Sequence, residues 1–372
     1  MNTIICYIAT LVVSFLISYF MVPVSIKFAN KYGILDNPKA DNRRVHKVPT
    51  PRVGGIAMVT AVMVTVIVYN IIRCIMGLGI SSRFIGYVIG GILIILMGFI
   101  DDVFNLKPLY KFLFQILAAT AIYVFEIRIA GVKIPFIHAS IIDFGIFSFP
   151  ITVLWVLGIT NAVNLIDGLD GLAAGISTIS SIALLTIFAI SGAGIEAIII
   201  GLALLGSTLG FLPYNFNPAK TFMGDVGSNF LGYTLATISI IGMAKGYTIL
   251  AIVAPLIVVG VPVFDMVFAL VRRIAHHQSI MAPDKGHIHH RLLRCGFTQR
   301  QAVLILYGIT TFLGVIAVTI VSGRLKQGLI CLVIAILLWF MAYMSKGISN
   351  RKFDVFEKIF SKHKIEENDE NK

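Results

Sequence analysis

ITVLWVLGITNAVNLIDGLDG, residues 151–171, joins an apolar run directly to a run of amides and carboxylates. The first ten residues carry no charge, and the next eleven put Asn161, Asn164, Asp167 and Asp170 at a strict spacing of three. On an α-helix such positions are neighbours, so the four form a slanting polar ridge. Gly168 and Gly171 make the end of that ridge easy to bend, which would let backbone groups face a ligand as well. Amides alone would read as a seam joining membrane helices. Two carboxylates in the same seam need partners or cations, and that makes the ridge a candidate functional site.

The apolar run is one of many. Of 372 residues, 58% are hydrophobic and 13% charged, where a soluble domain carries about a quarter charged. Residues 4–26, 53–72, 84–100, 174–195 and 327–345 approach or exceed the roughly 18 apolar residues of a membrane-spanning helix. They are too long for barrel strands, which are about ten residues of alternating pattern. The pattern predicts an all-α polytopic membrane protein of about eleven transmembrane helices, near 4–26, 53–75, 84–100, 111–128, 150–165, 172–191, 195–212, 227–243, 248–271, 303–321 and 327–345. Met-Asn-Thr lacks the basic region of a cleavable signal. Cys6, Cys74, Cys295 and Cys331 are scattered, with no metal spacing.

The formal charge of +12 raises nucleic acid as a partner, but its distribution points to a membrane instead. With the N-terminus outside and the C-terminus cytoplasmic, 23 of the 30 Lys and Arg residues fall on the cytoplasmic side, the asymmetry of inner loops. Residues 1–345 read as one integral-membrane domain and 346–372 as a charged cytoplasmic tail, its end KIEENDENK having the composition of a disordered segment. The external stretch 129–149 alternates in places and reads as a short hairpin. No internal repeat is evident, which speaks against an inverted-repeat transporter.

Seven of the 18 acidic residues, namely Asp101, Asp102, Asp167, Asp170, Asp225, Asp265 and Asp284, lie at or near the cytoplasmic ends of spans. FIDDVFNLKP (99–108) sets two adjacent carboxylates before Lys107. Such a pair is either a solvated helix end or a group that takes a proton or binds a metal–phosphate, since like charges side by side raise one pKa. NFNPAKTFMGDVGSN (215–229) places Asp225 at a helix start, as a simple N-cap or beside free N–H groups that suit a phosphate. MAPDKGHIHHRLLRCG (281–296) gathers His287, His289 and His290 with Lys285, Arg291 and Arg294. Arg and Lys among the histidines favour an anion, most naturally a phosphate, over zinc. Asp265 reads equally as an ion-pair partner on its helix or as a direct participant. RRVHKVPTPRVGG (43–55) adds His46, Lys47, Arg52 and paired glycines in a shaped basic loop. An anionic substrate with a divalent cation meets all these demands, and Mg²⁺ keeps few protein ligands in such company.

At these residues the chain resembles the polyprenyl-phosphate N-acetylhexosamine-1-phosphate transferases. TPRVGG, DDVFNLKP, NAVNLIDGLDGLA, FMGDVGS and PDKGHIHHRLL occur in family order across nearly the whole chain. HIHH, where Ile288 interrupts a run of histidines, resembles the branch that uses UDP-GlcNAc rather than the phospho-MurNAc-pentapeptide transferases. The resemblance implies a multi-span enzyme of the plasma membrane with its active site on the cytoplasmic face. It would transfer GlcNAc-1-phosphate from UDP-GlcNAc to a polyprenyl (undecaprenyl) phosphate with release of UMP, the first lipid-linked step of a cell-envelope polysaccharide.

Mg²⁺ is the implied cofactor, with Mn²⁺ an alternative, and a homodimer is an arrangement left open. Asn164 and Asp225 would hold the metal on the pyrophosphate, and Asp101 or Asp102 would deprotonate or orient the lipid phosphate. Asp170 and Phe222 would hold the uracil. Lys47, Lys107, His287, His289 and His290 would bind phosphates or the sugar, with Asp167 and Arg291 in the same substrate-binding set. The alternatives are the phospho-MurNAc-pentapeptide reaction and, in another class, a secondary transporter of an anionic solute.

Overall fold

The computed structural model describes residues 3–36, 49–132, 142–243, 249–279 and 286–334. Helices make up nearly all of it: α1 Thr3–Tyr32, α2 Gly54–Ile75, α3 Ser82–Phe104, α4 Pro108–Val124, α5 Ser148–Ile166, α6 Leu172–Ser191, α7 Ile195–Asn215, α8 Gly224–Met243, α9 Ile249–Val258, α10 Gly260–Ala275, α11 Ile288–Arg294 and α12 Gln299–Val321. A short apolar helix, α13, follows at Leu325–Ile334. The protein is an all-α polytopic membrane protein. Among the described residues seven helices are long and apolar enough to cross a membrane, and a bent pair, α9 with α10, makes an eighth.

Of the other runs expected to span, 327–345 lies mostly outside the described residues, and α4 has only 17 residues. α8 carries Ser228, Asn229, Thr234, Thr237 and Ser239, all buried. A helix wrapped by other helices can carry such groups because they find partners there: Thr234 meets the Tyr87 hydroxyl at 3.0 Å, and Ser239 accepts from the Trp155 indole at 2.9 Å. The run 248–271, expected to be one span, is broken between α9 and α10 by a bend of 86°. Pro262 has no N–H to return to the Val258 carbonyl, and that carbonyl accepts from Ser180 Oγ at 3.2 Å instead.

Small residues set the helix spacing, as they do where lipid offers no hydrophobic drive between helices. On α7, Gly206 and Gly210 lie against the backbone of α1, and Ser14 and Ser18 of α1 donate to the Ala203 and Ser207 carbonyls at 2.6 and 2.7 Å. Around α8 the approach is closer still. A Cβ on Gly55 of α2 would stand 2.0 Å from the Met223 carbonyl oxygen, and one on Gly98 of α3 would stand 2.5 Å from the Val226 Cα. Gly232 of α8 lies in the same way against Thr160 of α5. The first turn of α8 is therefore the point on which α2 and α3 converge.

Two short antiparallel ribbons complete the described fold. β1 (Leu35–Asp36) pairs with β2 (Thr50–Pro51) and holds the ends of the first basic loop together. β3 (Gly131–Val132) pairs with β4 (Ile142–Asp143), at the expected external hairpin, whose tip lies outside the described residues. The tail 346–372 also lies outside them.

Gly98→Ala should destabilise the protein by about 1–3 kcal/mol, because its methyl meets backbone. Gly158→Ala, whose methyl would meet nothing within 4 Å, should be neutral or stabilising by up to about 1 kcal/mol. Thermal unfolding of the two purified variants in one detergent checks the contrast; equal effects would contradict the packing described.

Candidate active site

The site is built on the first turn of α8. Its opening N–H groups, which a helix leaves without intrahelical partners, are capped from another helix. Asp102 of α3 accepts from Asp225 N at 2.9 Å and from Val226 N at 3.2 Å. The Gly227 N–H bonds to the Met223 carbonyl at 3.2 Å. These groups are thus not available to a phosphate as the helix start suggested, and Asp225 is not its own cap.

Arg52 closes the arrangement. Its Nε lies 3.1 Å from Asp102 Oδ1, and its terminal nitrogen lies 3.0 Å from Asp225 Oδ2. Burial alone would lower the Arg52 pKa, but the charges of Asp102 and Asp225 more than reverse this and keep the guanidinium ionised. Backbone bonds put Arg52 there. Phe222 N donates to the Pro51 carbonyl at 2.8 Å, Gly54 N donates to the Phe222 carbonyl at 3.0 Å, and Thr221 Oγ1 donates to the Pro51 carbonyl at 2.9 Å. TPRVGG and TFMGDVGS therefore run side by side, with Gly55 against Met223 and Gly227.

The ridge of α5 meets the same turn. Asn164 Nδ2 donates to Asp225 Oδ1 and to Ser228 Oγ, both at 2.8 Å. Asn161 pairs with Gln115 of α4 at 2.7 Å. Asp101 is buried, accepts from Leu106 N at 2.8 Å and is ion-paired to Lys111. Just beyond α5, Asp167 is only part-exposed, and its pKa is pushed up to about 7 by burial first and by the Asp225 charge second. Around Asp225 the structure thus brings together Asp101, Asp102, Asn164 and Asp167 from the expected set, and adds Arg52, Lys111 and Ser228.

The histidine helix α11 reaches the ridge from the other side. A Cβ on Gly168 would stand 2.4 Å from His289 Nε2, so the imidazole lies directly on that glycine. His289 is buried, and its Nδ1 has no hydrogen-bond partner among the described residues. Burial, with the charge of His290 next, pulls its pKa down to about 3, which leaves a neutral ring at physiological pH. The His290 ring lies 4.3 Å from that of His289. Asp265 positions the group: it accepts from Ile288 N at 2.8 Å and pairs with His287 Nδ1 at 2.9 Å, capping α11. Of its two sequence readings, ion-pair partner and direct participant, the structure shows Asp265 as a tie between α10 and α11, through the His287 ring and the Ile288 N–H. Arg291 is part-buried on the same helix.

Asp170 lies farther along the turn and serves as a tie. Its Oδ2 accepts from Asn217 Nδ2 at 2.9 Å and from Ala219 N at 3.0 Å, while Asn217 also meets Gln299 of α12 at 3.0 Å. Phe222 is part-exposed between Pro51 and Gly54, and Lys107 is exposed at the head of α4. Lys47 lies outside the described residues. Sequence reasoning passed over Lys111, Gln115 and Asn217 as site residues, and it named Arg52 as part of a basic loop without its carboxylate partners.

Arg52→Ala should leave two part-buried carboxylates without their shared counter-charge and lower stability by about 1–3 kcal/mol. The double variant with Asp102→Asn should recover part of that loss, as coupled neighbours do. Denaturant unfolding of the two singles and the double measures this, and simple additivity would argue against the bridge.

Residues 84–243 match the family model for glycosyl transferase family 4. The chain is 38% identical over 357 residues to a probable undecaprenyl-phosphate N-acetylglucosaminyl 1-phosphate transferase of Bacillus subtilis, covering 95% of this chain and 96% of the relative. It is 32% identical to a decaprenyl-phosphate N-acetylglucosaminephosphotransferase of Mycolicibacterium smegmatis, covering 89% and 87%. It is 30% identical to a phospho-N-acetylmuramoyl-pentapeptide-transferase of Listeria innocua, covering 84% and 98%. The chain belongs to glycosyl transferase family 4, among the polyprenyl-phosphate N-acetylhexosamine 1-phosphate transferases.

Proposed function

We propose that this protein transfers N-acetylglucosamine 1-phosphate from UDP-N-acetylglucosamine to undecaprenyl phosphate and releases UMP, on the cytoplasmic face of the membrane. The observation that carries this reading is the convergence of acidic, amide and basic groups from four separate stretches on the first turn of α8. The greater identity to the N-acetylglucosaminyl relative than to the pentapeptide enzyme supports the choice of sugar.

In the reaction an oxygen of the lipid phosphate attacks the β-phosphorus of the nucleotide-sugar. The bond from that phosphorus to the bridging oxygen breaks, UMP leaves with the electron pair, and the sugar stays on the transferred phosphate. Both partners are anions, so the protein's task is positioning and charge neutralisation. Asp102 is committed to capping α8 and to Arg52. This leaves the neighbouring Asp101–Lys111 pair, with the exposed Lys107 at the head of α4, to receive and orient the acceptor phosphate.

Asp225 and Asp167 supply two carboxylates beside the Asn164 amide. This is a donor set suited to Mg²⁺, which binds one or two carboxylates and completes its shell with water and phosphate oxygens. The Arg52 guanidinium between Asp102 and Asp225 marks the same place as one that accepts a cation. When bound, the metal would neutralise the pyrophosphate. Such an ion would be held jointly by protein and substrate. In this reading neutral His289, with His290 beside it and Arg291 on the same helix, would take the sugar and its phosphate, and Phe222 and Asp170 would take the uracil.

UMP release by the purified protein with undecaprenyl phosphate and Mg²⁺ tests the reading: UDP-GlcNAc should serve and UDP-MurNAc-pentapeptide should not. Asp225→Ala should abolish turnover while the protein still inserts and folds, and near-normal turnover would remove Asp225 from the chemistry. Gly168→Ala, which must displace His289, should raise KM for UDP-GlcNAc about tenfold or more, the loss of one good hydrogen bond; an unchanged KM would take His289 out of the sugar site.

A further inference from the structure

We propose that Gln115 of α4 is a positioning residue for the transfer reaction, setting the height and rotation at which Lys111 meets Asp101; this rests on the reading given under Proposed function. The buried stripe of α4 is Gln115, Ala118, Ala119 and Ile122. Two alanines and one isoleucine make a smooth face, and apolar contact alone fixes the rotation of such a helix poorly. Gln115 is the polar member of that stripe and is fully buried.

Its amide is used at both ends. Gln115 Oε1 accepts from Asn161 Nδ2 of α5 at 2.7 Å, and Nε2 donates to Asn229 Oδ1 of α8 at 3.1 Å. A longer contact to Asn161 Oδ1, at 3.4 Å, makes the exchange with α5 reciprocal. Each partner is itself anchored: Asn161 Nδ2 also donates to the Leu157 carbonyl at 2.8 Å, and Asn229 Nδ2 donates to the carbonyl of Asp225 at 2.8 Å. One neutral network therefore runs from the backbone of Asp225 through Asn229 and Gln115 to α5.

The link to the chemistry is helical geometry. Lys111 stands four residues before Gln115, so the two share a face one turn apart. Lys111 pairs with Asp101, and Asp101 also holds Leu106 N in the turn between α3 and α4. The head of α4 is thus fixed to α3 by charge, and its next turn is fixed to α5 and α8 by amides. Without the amide, only Ala118, Ala119 and Ile122 would set how α4 sits between α3 and α5. A displacement of about 1 Å at a reacting group can cost about a hundredfold in rate.

The test uses the full-length protein in detergent or bilayer, with UDP-GlcNAc and undecaprenyl phosphate. Gln115→Leu should lower kcat about 10- to 100-fold while KM for UDP-GlcNAc changes less than about threefold, because the nucleotide-sugar is held by other elements. In a Lys111→Arg background the same change should cost less than about threefold further, since coupled residues are not additive. Gln115→Glu keeps the length and the acceptor for Asn161 but loses the donor to Asn229. It serves where leucine prevents folding and should show the same kcat-only loss at smaller size. Unchanged kcat, a loss carried in KM, or full additivity with Lys111→Arg would overturn the proposal. Absence of UMP from the unaltered protein would instead overturn the assigned reaction.

Discussion

The Asp102 carboxylate across the first turn of α8 is the contact on which the rest of the site depends. A helix that begins inside a protein must have its leading N–H groups satisfied, and here a second helix does so. That one contact fixes α3 against α8 and sets Asp225 beside Asp101. It also places two carboxylates within reach of one guanidinium. The close approach is possible only because Gly98, Gly55 and Gly227 present no side chain where the backbones meet.

Charge is then balanced locally. Arg52 answers Asp102 and Asp225, and Lys111 answers Asp101. Each pairing limits the cost of holding ionised groups away from water. Asn164, Asn161, Gln115 and Asn229 do the remaining work without charge, so the network orders Asp225 without adding to the field on it. The opposite approach, through α11, brings a neutral imidazole onto Gly168, beside the carboxylate of Asp167. A polar site of mixed character results, with its anionic side on α3 and α8 and its imidazole side on α11.

Much of this was legible in the sequence. The apolar runs predict the helices, the spacing of three from Asn161 to Asp170 predicts the ridge, and DDVFNLKP and FMGDVGS mark the two helix ends that meet it. What could not be read is which group meets which. A cap supplied by Asp102 to a helix 123 residues later leaves no local signature, so the start of α8 read as self-capped or as a phosphate cradle. The break between α9 and α10 was hidden because both halves are apolar and the prolines are compatible with a continuous span. Gln115 sits in an ordinary helical run, and nothing in its neighbourhood announces that Asn161 and Asn229 converge on it. The Asp265–His287 pair was missed for the same reason: its two partners lie in different elements.

The most direct test of the account follows the phosphates themselves. UDP-GlcNAc labelled with ³²P in either its α- or its β-phosphate would be turned over with undecaprenyl phosphate, and the lipid and water phases counted. Transfer of sugar with its phosphate predicts that the β-label enters the lipid and the α-label stays in water as UMP. Retention of both labels in water as UDP would mean that sugar alone is transferred, and the chemistry assigned to Asp101, Asp225 and Lys111 would be wrong.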